Sequence, residues 1–248
     1  MLLTIFSILA ILCLVLYFYC MVILHLKNKG VYHPMTHAVS DYGIGQNKSY
    51  FQLAGLANTF RNLFLILSLI FWKYSFSFKK EAVLLLILAI IGYAGVALFP
   101  TDIEGSKRTV KGIIHLLFAI LQFTALAIFI FNVTEVLKPL NATLFLIASY
   151  IKIVVEVGLY GLVIALFLPF VKKYFGLFER LFLYSSNLYI LLLCVMMIRY
   201  WIVQFYRFVW CYSIRKLFWQ IIIGFSVLLK TYDTYQGKIN LDTALSLL

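Results

Sequence analysis

The chain has 248 residues, of which 64% are hydrophobic and 12% charged, and its mean hydropathy is +1.01. Soluble domains run nearer half apolar and a quarter charged, so composition excludes an ordinary soluble globule. The net charge of +12 comes without any basic run longer than two residues. That pattern suits Lys and Arg facing an anionic leaflet and argues against nucleic acid as a partner, leaving the lipid bilayer as the one partner composition implies.

The first predicted span, about 2–26, is apolar from its start, with no basic leader and no small-residue cleavage site, and is expected to be retained. Five more follow at about 49–72, 82–100, 112–131, 142–168 and 181–198. Residues 82–99, "AVLLLILAIIGYAGVALF", are unbroken where a barrel strand would alternate, so the spans are helices. Pro100 and Pro169 are placed to close the third and fifth spans. After Arg199 the chain turns aromatic and basic, as at a membrane interface, and residues 217–229 are short for a span. The expected fold class is therefore an all-α, polytopic transmembrane helical bundle of six spans, with a seventh span or an interfacial helix near the C-terminus. Residues 1–205 form the six-helix domain in this scheme, and 206–248 an interfacial segment and tail that ends in the soluble-looking "GKINLDTALSLL".

Six alternating spans put loops 1–2, 3–4 and 5–6 on one membrane face, called face B here. Lys and Arg leave its orientation open. Nine lie on face B (Lys27, Lys29, Lys48, Lys107, Arg108, Lys111, Lys172, Lys173, Arg180). Ten lie on the opposite face, counting the tail (Lys73, Lys79, Lys80, Lys138, Arg199, Arg207, Arg215, Lys216, Lys230, Lys238).

The same alternation gathers the scarce polar chemistry. "HPMTHAVSDYGIGQ" (33–46) falls in loop 1–2, "FPTDIEG" (99–105) in loop 3–4, and "GLFER" (176–180) at the end of loop 5–6. Ser40, Asp41, Asp102, Glu104, His115, Glu179 and Arg180 thus converge on face B, and His25 closes the first span there. A His–carboxylate–Ser set supports general-base or nucleophilic catalysis. Imidazole with carboxylate also suits Zn²⁺, for which His33, His37 and His115 are the candidate ligands; His33 and His37 stand i,i+4, one helix face apart. HxxxH is a weak motif, and these groups also serve as helix caps and headgroup contacts. Gly43-Ile-Gly45 lacks the strand and third glycine of a dinucleotide loop and is expected to be a turn, with Ser40 or Asp41 as a cap. Cys13, Cys20, Cys194 and Cys211 contain no CxxC pair and are expected to be small hydrophobes.

A second set lies at bilayer depth: Arg61 in the second span, Lys152 and Glu156 in the fifth. Charges there are costly unless paired and are functional suspects by default. Lys152 and Glu156 are spaced to pair on one face, and Arg61 has a depth that would also let it meet Glu156. Asn58, Gln122 and Ser185-Ser186-Asn187 are expected to bond between helices.

"AVSDYG" after the first span, "FPTD" ending the third, a His opening the fourth and "GLFER" opening the sixth resemble the bacterial and archaeal membrane family catalogued as domain-of-unknown-function 998. The likeness covers about residues 1–199. It implies a multi-pass helical membrane protein with Ser40, Asp41, Asp102, His115, Glu179 and Arg180 at the matching positions, and implies no activity. Three functions remain in view: a membrane-embedded hydrolase of an amphipathic substrate in a bacterial inner membrane, with or without a metal; a small transporter or sensor using Arg61, Lys152 and Glu156; and a non-catalytic structural protein.

Overall fold

A computed structural model describes residues 1–102, 107 and 109–245. Among these the chain is all-α: α1 (Leu2–Lys27), α2 (Lys48–Phe71), α3 (Lys79–Leu98), α4 (Val110–Leu137), α5 (Ala142–Phe167), the single-turn α6 (Pro169–Lys172) and α7 (Phe175–Leu245). Six segments are long and apolar enough to cross a bilayer: α1 to α5 in full, and Phe175–Arg207 of α7. The chain divides into two compact units, Met1–Trp201 and Ile202–Leu248. The first contains all six of those segments apart from residues 202–207 of the sixth.

Local chemistry sets the boundaries. Thr109 Oγ1 accepts from the Gly112 N–H (3.1 Å) and Asn141 Oδ1 from the Leu144 N–H (2.9 Å), capping α4 and α5. Pro169 sits in the first turn of α6, where its missing N–H costs nothing. Between α2 and α3, Lys79 Nζ donates to the Trp72 carbonyl at 2.6 Å and closes the connection.

One boundary differs from expectation. α7 starts at Phe175 rather than near 181, so Glu179 and Arg180 stand inside its first turns instead of in a loop. The described part of the tail, 206–245, is helical throughout. No proline follows Pro169, and a single glycine such as Gly237 weakens a helix by only about 1 kcal/mol without ending it.

The helices approach closely where small residues allow it. A Cβ on Gly92 of α3 would stand 2.6 Å from Gln122 Cβ and 2.9 Å from the Gln122 backbone nitrogen on α4. One on Gly158 of α5 would stand 2.6 Å from the Phe182 backbone nitrogen on α7. Backbone cannot yield as a side chain can, and without water between helices such contacts are the main adhesive. Gly158→Ala is therefore expected to destabilise by about 1–3 kcal/mol in thermal unfolding, the usual overpacking cost. Gly55→Ala, where the new methyl meets nothing within 4 Å, should be neutral or slightly stabilising. Equal midpoints for the two variants would refute this account of the α5–α7 crossing. Buried hydroxyls also tie helices together: Ser7 Oγ to Ser68 Oγ (3.2 Å) joins α1 to α2, and Thr134 Oγ1 to Tyr189 Oη (2.9 Å) joins α4 to α7.

Candidate functional site

Loop 1–2 is held down by the first turns of α7. Arg180 is 6% exposed, and its Nη1 donates to the carbonyls of Pro34 (2.7 Å), His37 (2.7 Å) and Gly176 (3.0 Å). Its Nη2 donates to Tyr42 Oη (3.1 Å) and its Nε to His25 Nε2 (3.2 Å). His25 Nδ1 lies 2.6 Å from the Met21 carbonyl, which places the proton on Nδ1 and leaves Nε2 as the acceptor Arg180 needs. Tyr42 lies under the guanidinium, 5.6 Å from its ring centre, and packs edge-on against Tyr32 and His25. The Leu177 N–H donates to the Met35 carbonyl at 3.0 Å, and the Val39 N–H to Glu179 Oε2 at 2.5 Å. Gly176 is glycine because the His37 carbonyl oxygen occupies the space a Cβ would need, 2.1 Å away. "GLFER" and "HPMTHAVSDYG" are thus two halves of one clasp.

The clasp roofs a cavity of about 500 Å³ at the face-B end of the bundle. Ser40, Asp41, Asp102, His115 and Glu179 all line it, so five of the six residues singled out by the resemblance share one space. Arg180 stands behind the wall as the organiser of loop 1–2. Asp41 and Glu179 are each 6% exposed and close enough for their charges to interact. Ser40 and Asp41 lie in a short 3₁₀ turn, Val39–Gly43, and neither caps it or α2.

His115, in the second turn of α4, has Nδ1 2.7 Å from the Phe99 carbonyl. That carbonyl fixes the Nδ1–H tautomer and leaves Nε2 as a proton acceptor on a ring that lines the cavity. Asp102 lies within Coulombic range of His115. Its Oδ2 accepts from the Thr109 N–H (2.8 Å) and its Oδ1 from Thr109 Oγ1 (2.6 Å), so it also braces the cap of α4. Gly112 leaves room for this carboxylate, since a Cβ there would fall 2.0 Å from Asp102 Oδ2.

The deep end of the cavity contains groups with little signature in the sequence. Tyr17 Oη, Tyr93 Oη and Gln122 Oε1 are buried, lack a hydrogen-bonding partner and line the cavity from α1, α3 and α4. At about 1.5 Å rise per residue, Tyr17 and Gln122 lie roughly 15–18 Å from the face-B ends of their helices, and His115 and Glu179 roughly 6–8 Å; Tyr93 is level with Gln122, on which the adjacent Gly92 packs. The site therefore has a charged upper tier, with Asp41, Asp102 and Glu179 beside Lys48 and Lys172, and a neutral, hydrogen-bonding floor. Two tyrosines among 17 carry no sequence signal, whereas Gln122, seven residues after His115, was legible as sharing its face.

Below the floor stands Arg61, fully buried, with its guanidinium 5.9 Å from the Tyr93 ring centre. Its donors go to amide oxygens: Nη1 to Asn58 Oδ1 (2.8 Å) and to Asn187 Oδ1 on α7, Nη2 and Nε to Asn62 Oδ1 (2.7 and 3.1 Å). Arg61 does not turn to Glu156, as depth alone had suggested. Glu156 pairs instead with Lys152 at 3.8 Å on a partly exposed face of α5. Asn58 one turn back, Asn62 next in the chain and Asn187 on α7 are nearer partners than a carboxylate on α5.

The proposed zinc ligands are not brought together. His33 is exposed and His37 half-buried in loop 1–2, outside the cavity His115 enters. The segment is a turn, in which the His33 N–H donates to His37 Nδ1 (3.0 Å) and the Met35 N–H to His33 Nδ1 (3.4 Å). Pro34 allows a turn to start there, but the i,i+4 pair then bonds to its own backbone. Among the described residues no three His, Cys, Asp or Glu side chains gather to hold a metal ion. Glu104 lies outside the described residues.

A family model described as "Protein of unknown function (DUF998)" matches residues 11–196. No curated protein and no solved structure matches the chain. The matched stretch includes both halves of the clasp, every cavity residue named above and the asparagine cage of Arg61, and by it the chain belongs to DUF998, a family whose function is unknown.

Proposed function

We propose that the protein is a membrane-embedded hydrolase, acting in a bacterial inner membrane on an amphipathic substrate that binds in the face-B cavity. The observation that supports this is the joint lining of one cavity by His115, with its Nε2 left as a base, and by Ser40, Asp41 and Glu179. The upper tier supplies the chemistry and the floor supplies binding. In the step envisaged, His115 Nε2 takes a proton from water as the water oxygen bonds to an acyl carbon. The bond to the leaving group then breaks, and the proton passes from His115 to that group. Asp41, Glu179 and Ser40 orient the water and the polar end of the substrate; no metal enters the scheme.

Purified protein in lipid nanodiscs, assayed against a panel of acyl esters and amides, tests this. His115→Gln should retain fold and thermal midpoint while losing about 100-fold or more in kcat, the usual worth of a general base. Activity unchanged in His115→Gln, or turnover of no panel member by the parent protein, would remove the hydrolytic reading.

A further inference from the structure

Part of the cavity lining comes from residues that are also exposed on the apolar outside of the bundle. From α4 it is lined by Ile113, Leu116, Ile120 and Phe123, a stripe at helical spacing, and from α5 by Leu162 and Leu166. Three of these are also among the exposed aliphatics of the spans: Ile113 at 45%, Ile120 at 44% and Leu166 at 39%. Next to them Leu117, Val163 and Ile164 are exposed as well, so the apolar rim continues into the lipid-facing surface. The connection between α4 and α5, around 138–141, is at the opposite end of the bundle. At face B the two helices end in separate loops, and no turn ties them together across the cavity.

We infer that the gap between α4 and α5 is a lateral portal, through which a bilayer-resident amphipath enters with its chain left between these helices. This rests on the cavity being a ligand site. The polar surroundings then define the head of that amphipath. Asp41 and Glu179 are buried acceptors, and Gln122 Oε1 is a buried acceptor without a partner. Tyr17 and Tyr93 add hydroxyls that also lack partners. A head bearing hydroxyl, amide or amine donors suits the deep Gln122, Tyr17 and Tyr93 and the two carboxyls, whereas a phosphate finds its cationic partners, Lys48 and Lys172, only at the face-B helix ends that also line the cavity. The substrate class is an acyl-chain amphipath with a neutral or cationic, donor-rich head.

The portal is tested with two photoreactive probes in nanodiscs that carry the same diazirine-labelled acyl chain, one with a glycerol head and one with a glycerol phosphate head. The glycerol probe should label 113–123 and 162–166, at least fivefold more than the phosphate probe does. Ile120→Trp with Leu166→Trp, which fills the gap, should cut that labelling at least fivefold, while the outward-facing Leu117→Trp should not. Equal labelling by the two probes overturns the head assignment even if the tryptophan variants fail to fold. Equal labelling of parent and folded double variant overturns the portal. A water-side arm separates this from the site itself: Ser40→Cys is reacted with a water-soluble maleimide in the presence of a short-chain acylglycerol. Protection there without acyl-probe labelling would reject the portal and keep the ligand site; neither protection nor labelling would reject both.

Discussion

Arg180→Ala is expected to lower the thermal midpoint in detergent by about 10 °C and to expose residues 28–47 to protease. The side chain bonds three backbone carbonyls, the Tyr42 hydroxyl and His25, all from a nearly buried position. Losing it leaves several buried acceptors unmet, each costing about 1–3 kcal/mol before relaxation. Water reaching a loosened loop recovers part of this, so a net loss of about 3 kcal/mol is reasonable. For a chain of this size each kcal/mol shifts the midpoint by about 2–4 °C. Arg180→Lys should recover less than half, because one ammonium cannot serve acceptors spread around a planar fork. A midpoint within 2 °C or so of the parent in Arg180→Ala would show that loop 1–2 is held by its apolar contacts alone.

Arg61→Met is expected to cost a comparable amount, about 3 kcal/mol, for a different reason. The guanidinium is the common donor to Asn58 and Asn62 on α2 and Asn187 on α7, at a depth where water does not replace it. Truncation strands three amide oxygens. Removing a partner as well, in Arg61→Met with Asn187→Leu, should be less damaging than the sum of the single changes, since paired removal leaves fewer orphaned acceptors. Chemical or thermal unfolding of the four proteins in the cycle measures the coupling. Strict additivity would mean that Arg61 does not join α2 to α7.

The clasp explains why such short motifs stay legible in a chain made mostly of Leu, Ile and Phe. A glycine against a carbonyl, an arginine over a tyrosine and a glutamate on a backbone N–H admit few alternatives at their positions. The lipid-facing side of a span needs only to be apolar, and many sequences satisfy that equally well.

From the residues alone, the membrane, the six spans and their alternation followed directly, because hydrocarbon admits only segments that satisfy their own backbone. Alternation alone then places Ser40, Asp41, Asp102, His115, Glu179 and Arg180 on one face. Which of them meet was decided by tertiary structure. Five line the cavity, Arg180 stands behind them as a brace, and His33 and His37 bond within their own turn. Depth along a helix is one coordinate, and it is readable from sequence. The direction in which each helix is rotated and the neighbour it meets are set by packing across the bundle. That is why Arg61 found asparagines rather than Glu156, and why Tyr17 and Tyr93 emerged as the floor.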